Sequence, residues 1–282
     1  MTISNWRCGK FSIPLDKPCV MGIVNVTPDS FSDGGRWSTK DRAVEHALQL
    51  QKEGADILDI GGESTRPGAK EVSLNEELDR VIPVIEELSH CGLPISVDTS
   101  KPQVMKEAVK AGASIVNDVF ALQAPGAKEV VAQEDCGVCL MHIQGTPCLM
   151  QRNPKYDDLM QEVKSFLLTQ TQQLETLGVE SERICLDPGF GFGKTVSQNF
   201  ELLNKAKEFV QLGYPVLYGM SRKSSLGRVT GINVPSERMV ASVVAHLIAV
   251  QNGVQIIRVH DVAATVQALK IWNSTQYYKE LL

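Results

Sequence analysis

The sequence has no HExxH pair, no clustered histidines and no Cys/His set at ligand spacing. Nothing in it supports a structural zinc module or a zinc-dependent hydrolase. It has no basic excess either: 28 Lys and Arg stand against 33 Asp and Glu, a formal net charge of −5. A general nucleic-acid binder usually carries the opposite sign. The longest apolar stretch, Met239–Val250, contains His246 and falls short of the ~20 residues that span a bilayer. Met1–Cys8 shows no basic segment followed by an apolar one, so no secretory leader is expected. Seven cysteines in such a chain point to reduced thiols in the cytoplasm. Cys136 and Cys139 form a CxxC, but three residues apart on a strand they face opposite sides, which suits packing. No linker or low-complexity tract divides residues 1–282, so one domain is expected.

What the chain does contain is a repeated unit. Eight short apolar runs each stop at a polar residue, a glycine-rich turn, or both: Val20–Val26, Ile57–Gly61, Ile95–Asp98, Ile115–Val119, Val138–His142, Ile184–Asp187, Val216–Gly219 and Ile256–His260. Helical periodicity fills the intervals, over roughly Ser38–Glu53, Tyr156–Leu177, Gln198–Leu212, Ser236–Gln251 and Val262–Trp272, with a weaker stretch near Gly126–Glu134. Ser73 and Glu76 predict a capping box at the start of the helix after the second run. Thr99 or Ser100 is expected to cap the helix after the third, with Gly112 ending it. Strand–helix alternation requires a parallel sheet, because each strand is re-entered by a crossover. Eight units in this length favour a closed α/β TIM (β/α)8 barrel over an open flavodoxin-type sheet. Residues 6–18 precede the first run and would form a short N-terminal hairpin plugging the barrel floor.

A closed barrel gathers the C-terminal ends of all its strands on one face, where chemistry takes place. Asn25, Thr65, Asp98, Asn117, His142, Asp187, Lys223, Arg258 and His260 lie at or just beyond those ends. Arg258 and His260 are two apart and share a strand face. Arg258 could form an ion pair, with Asp59 or Asp261, or clamp an oxyanion bidentately. Asp98 and Asp187 could be helix caps. Together with Asn117 they could instead read the donor and acceptor edge of a heterocycle, as such groups read bases.

Asp187–Thr195, DPGFGFGKT, resembles a phosphate-binding P-loop but misses its spacing by one residue. Phe190 and Phe192, in a loop expected to be mobile, would suit a flat aromatic ligand. Lys223, in Ser221–Ser224, lies where barrels commonly bind phosphate, and a Schiff-base role is the alternative. Thr27–Gly35 and Gly61–Gly68 are polar, glycine-rich candidate lids. Any metal here would be Mg²⁺, held mainly by a substrate's phosphates and one protein oxygen such as that of Asn25.

Taken in order, NVTPDSFSDGG (Asn25–Gly35), DIGGESTRPG (Asp59–Gly68), SVDT (Ser96–Thr99), VNDV (Val116–Val119), LMHIQGTP (Leu140–Pro147), DPGFGFGK (Asp187–Lys194), SRKS (Ser221–Ser224) and RVHDV (Arg258–Val262) resemble the dihydropteroate synthase family. The motifs run from the first strand to the last. The resemblance implies condensation of 6-hydroxymethyl-7,8-dihydropterin diphosphate with 4-aminobenzoate. It assigns the pterin to Asp98, Asn117, Asp187 and Lys223, with Met141 against the ring, and gives His142 no contact of its own. Diphosphate falls to Asn25, Thr65, Arg66, Arg258 and His260, with Mg²⁺ near Asn25. Aminobenzoate falls to Arg66, Pro67, Phe192 and Ser224. Asp98, Asp187, Lys223, Arg258 and His260 would be the catalytic set. Competition by sulfonamides and a homodimer are also implied, with Ser236–Gln251 able to cover the barrel or serve the dimer. A methyltetrahydrofolate-binding methyltransferase barrel would share the pterin pocket without needing Arg66, Arg258 or the lids. A non-catalytic pterin-binding paralogue is the third reading.

Overall fold

The computed structural model describes residues 3–27, 39–64, 71–145, 150 and 154–276. The loop portions 28–35 and 65–68, with Phe31, Thr65, Arg66 and Pro67, lie outside the described residues.

An antiparallel hairpin, β1 (Asn5–Cys8) and β2 (Phe11–Pro14), comes first. Eight parallel strands follow: β3 (Cys19–Asn25), β4 (Ile57–Gly61), β5 (Ile95–Asp98), β6 (Ile115–Asp118), β7 (Gly137–Met141), β8 (Ile184–Asp187), β9 (Leu217–Tyr218) and β10 (Ile256–Val259). They pair in the order β8-β7-β6-β5-β4-β3-β10-β9. A single bridge between Leu186 and Val216 closes the ring, with Leu186 N donating to Pro215 O at 2.8 Å. The closure is short because Pro215 has no N–H to extend the ladder. The (β/α)8 barrel expected from the alternating pattern is the fold.

The helices form the outer layer: α1 (Thr39–Glu53), α2 (Leu74–Leu88), α3 (Pro102–Ala111), α4 (Ala127–Gln133), α5 (Leu159–Thr176), α6 (Val196–Asn204), α7 (Ala206–Val210), α8 (Ser224–Thr230), α9 (Met239–Gln251) and α10 (Val262–Gln276). Their apolar stripes meet outward strand residues in one large core that includes Val24, Leu58, Val97, Val116, Leu140 and Leu186. Inward residues near the strand starts form a second core with the hairpin: Trp6, Ile13, Met21, Ile57, Ile115 and Ile256. Trp6 is fully buried and its indole donates to Arg183 O at 2.9 Å. The hairpin is thus the floor of the barrel, which leaves chemistry to the opposite end. Cys136 packs in the outer core and Cys139 in the inner one, as their spacing on a strand dictates.

Four local expectations change. At α2, Ser73 Oγ accepts from Glu76 N at 3.3 Å, but the Glu76 carboxylate turns to Arg80 at 2.5 Å, so the box is half formed. The N-cap of α3 is Lys101, without a side-chain cap; Thr99 Oγ1 accepts from Lys101 N instead, 3.2 Å away. The span Gln198–Leu212 is two helices, because Lys205 leaves the helical backbone (φ −99°, ψ 18°) between α6 and α7. Tyr156 stands outside α5, since Asp158 caps that helix and the Tyr156 hydroxyl donates to Gly193 O at 2.8 Å.

Candidate active site

The register sets Asn25, Gly61, Asp98 and Asn117 side by side at the upper rim of neighbouring strands. Met141 and Asp187 are paired in the same way on β7 and β8. Asp98, Asn117 and Asp187 therefore share one mouth, as expected from the strand ends.

Arg258 ties that mouth together. Its Nε donates to Asp59 Oδ2 at 2.5 Å and its Nη2 to Asp98 Oδ2 at 2.6 Å. The Asn117 amide reaches both Asp59 oxygens at 3.4 and 3.5 Å. Of the two ion-pair partners considered for Arg258, Asp59 is the one found; Asp261 is held by Arg222 at 3.0 and 2.5 Å. Asp59 itself was not among the expected site residues. Its signal was present, an ionisable side chain inside the apolar run Ile57–Gly61, facing the same way as Gly61.

The charges answer to this enclosure. Burial lifts the Asp98 carboxyl to about 7, against the pull of Arg258. Burial also raises Asp187, opposed by Lys223. Burial lowers Lys223 to about 7, with Asp187 resisting the fall. Burial works against the Arg258 charge, but Asp59 and Asp98 more than offset it and hold its pKa above the ordinary value. The mouth thus keeps the Asp98 carboxyl and the Lys223 ammonium close to their titration points, with the raised Asp187 carboxyl beside them.

The glycine loop after β8 is pinned, contrary to the mobility expected of it. Gly189 N donates to Asp187 Oδ1 at 2.7 Å, Gly191 N to Asn199 Oδ1 at 2.6 Å, and Phe192 N to Gly189 O at 3.0 Å. Phe190 is fully buried, edge-on to Phe200 at 6.1 Å, and so belongs to the core. Phe192 alone keeps the expected position, packed against the cluster of Val119, Met141, Ile143 and Met150. Lys223 Nζ lies 4.3 Å from the centre of its ring and donates to Phe190 O. Lys223 follows β9 on the loop, and Ser224 opens α8 at the exposed rim.

His260 lies just past β10, where both its backbone N (3.1 Å) and its Nδ1 (3.0 Å) meet Ser221 Oγ. Asn25 ends β3 half-buried. Among the described residues no group of three or more His, Cys, Asp or Glu is arranged to hold a metal. Asn25 offers one neutral oxygen, so a cation there must take its other ligands from a substrate and water.

Comparison with known proteins shows the family to which this barrel belongs. Residues 21–260 match the family model described as pterin binding enzyme. The dihydropteroate synthase of Escherichia coli K12 is 50% identical over 270 residues, 95% of each chain. The Xanthomonas albilineans dihydropteroate synthase solved with 4-aminobenzoic acid is 52% identical, with a TM-score of 0.93 over 98% of this chain and 99% of that one. The same enzyme in complex with 7,8-dihydropteroate aligns at a TM-score of 0.89 with 50% identity, covering 96% and 98%. The Yersinia pestis enzyme with a sulfonamide drug aligns at 0.90 with 47% identity, covering 95% and 97%.

Proposed function

The chain belongs to the dihydropteroate synthases of the pterin-binding enzyme family, and on that premise we propose how its rim divides between two substrates. The reaction joins 6-hydroxymethyl-7,8-dihydropterin diphosphate to 4-aminobenzoate and releases 7,8-dihydropteroate and diphosphate. Asp98, Asn117 and Asp187 take the polar edge of the pterin, Lys223 donates to it, and Met141 packs on its face. Arg258, His260 and Asn25 take the diphosphate, together with Thr65 and Arg66. Aminobenzoate lies against Phe192 and Ser224, and the family motif assigns Arg66 and Pro67 to the same substrate. The arylamine mimics that bind the Yersinia pestis relative as sulfonamides would compete at this last position.

One observation carries the division: Arg258 is bonded to both Asp59 and Asp98 through Nε and Nη2. Its Nη1 would meet a phosphate oxygen beside the Asp98 carboxylate that takes the pterin. A guanidinium fixed in this way is preorganised for the charge that develops as diphosphate leaves. In the reaction the amine nitrogen forms a bond to the pterin methylene carbon while the carbon–oxygen bond breaks. Diphosphate departs with the bonding pair, and the amine proton can leave with it. The Asp98 and Asp187 carboxylates offset positive charge on the pterin methylene during departure, and no side-chain nucleophile is needed. Asn25 would help to hold a Mg²⁺ ion at the diphosphate, and the ion would supply neutralisation of the leaving group.

The exposed stripe of α9, Val240, Val244 and Ile248, supports a homodimer through that helix. Free thiols at six described cysteines support a cytoplasmic location for the enzyme. Among the described residues no helix is long and apolar enough to cross a membrane. The test of the division of roles is an omission series with purified protein. Diphosphate release should require pterin diphosphate, aminobenzoate and Mg²⁺ together, and release unchanged without Mg²⁺ would remove the metal from the proposal.

A further inference from the structure

Lys194 is the lysine of the motif that resembles a P-loop, yet it is turned into the protein interior. Its side chain is 1% exposed. Nζ donates to Gly189 O and Phe192 O, each at 2.9 Å, and meets His142 Nδ1 at 3.0 Å and His142 O at 3.3 Å. The three shortest contacts surround Nζ, and burial holds this amine well below its ordinary pKa. They come from two different segments, the glycine loop after β8 and the end of β7. His142 is edge-on to Phe166 at 5.0 Å, so its ring is fixed. Burial and the neighbouring Lys194 push its pKa down to about 3, so the ring is neutral, and its Nε2–H tautomer is the one whose Nδ1 accepts from Lys194.

The two segments are also pressed together. Gly189 sits at φ +72°, and a Cβ there would overlap the His142 carbonyl oxygen. Gly193 sits at φ +65°, where a Cβ would stand 2.5 Å from Gln144 O. An apolar chain could fill the Lys194 site without desolvating an amine. What it could not do is hold carbonyls of the loop and a ring nitrogen of β7 at one point. The same loop carries the two groups that meet Lys223, Phe190 O and the Phe192 ring.

We propose that Lys194, anchored on His142, is a positioning residue that fixes the glycine loop so that Lys223 is aimed at the pterin. Lys194 acts at one remove, through the loop backbone. The inference rests on the assignment of Lys223 to the pterin pocket.

A double-mutant cycle tests it, with the affinity for dephosphorylated dihydropterin read by calorimetry. Lys194→Met should weaken binding about tenfold in the wild-type background and less than about threefold in Lys223→Met, since linked residues are not additive. Equal losses in both backgrounds, or a lowered melting temperature with unchanged affinity, would overturn the positioning role. If Lys223→Met itself leaves affinity unchanged, the pocket assignment fails, and the route through Lys223 fails with it. If Lys194→Met does not fold, His142→Phe keeps the ring contacts and removes only the acceptor. It should weaken binding about threefold in the wild-type background and leave Lys223→Met unaffected, the same linkage logic; no loss in the wild-type background would reject the proposal.

Discussion

Arg258 Nη2 and Asp98 Oδ2 are 2.6 Å apart at the rim of the barrel, and the same guanidinium holds the buried Asp59. The pair joins the part of the site that would meet phosphate to the part that would meet the pterin ring. A change of charge on one side is therefore felt on the other.

The first consequence is a pH limb. Asp98 is raised to about 7, chiefly by burial. A ring that presents N–H donors to Asp98 needs the carboxylate, so binding weakens as pH falls through that value and the group gains a proton. Lys223, lowered to about 7, can donate in either form and does not produce this limb. Affinity for the dephosphorylated dihydropterin should fall by up to about tenfold per unit below about pH 7. Asp98→Asn should abolish that slope, and calorimetry across the range checks it. A flat wild-type profile would show that Asp98 does not accept from the ring.

Asp59 should matter to stability more than its distance from solvent suggests. Asp59→Ala leaves Arg258 with one carboxylate partner and the Asn117 amide without its acceptor. Breaking a buried pair costs about 3–5 kcal/mol. The low end applies, because the Arg258 side chain remains 21% exposed. Urea unfolding should show a loss of about 3 kcal/mol. A loss below about 0.5 kcal/mol, the ordinary range for surface changes, would mean the pair is solvated.

Several of these groups could be found in the sequence and several could not. Ile57–Gly61, Ile95–Asp98 and Ile184–Asp187 begin and end where their apolar runs do, because a parallel strand buried on both faces is apolar until it meets the rim. Strand ends then located Asp98, Asn117 and Asp187 without reference to the rest of the chain. Contacts across the barrel are different. Arg258 and Asp59 are separated by 199 positions, and no local pattern chooses Asp59 over Asp261 as the partner. Phe190 and Phe192 are two apart in one motif, yet one lies in the core and the other against Lys223. The positive φ of the glycines around them decides that, and a glycine in a sequence does not declare its φ. Lys194 was hidden for a related reason, since its four contacts belong to backbone carbonyls and a histidine from another strand.

The α9 stripe yields a prediction of assembly. Val240, Val244 and Ile248 recur every four residues and are 69%, 50% and 39% exposed. Val244→Glu would place a charge in the middle of the proposed dimer face while leaving the buried face of α9, with Ala245, His246 and Ala249, untouched. Sedimentation should show a dimer for the wild type and a monomer for the variant. A monomeric wild type would remove α9 as the interface.

The most direct test concerns Arg258. Arg258→Ala removes the guanidinium that would meet diphosphate and also frees Asp98 from its partner. Affinity for pterin diphosphate should fall about a hundredfold, while the dephosphorylated pterin loses no more than about tenfold, each tenfold being 1.4 kcal/mol. Equal losses for the two ligands would contradict the placement of diphosphate at Arg258.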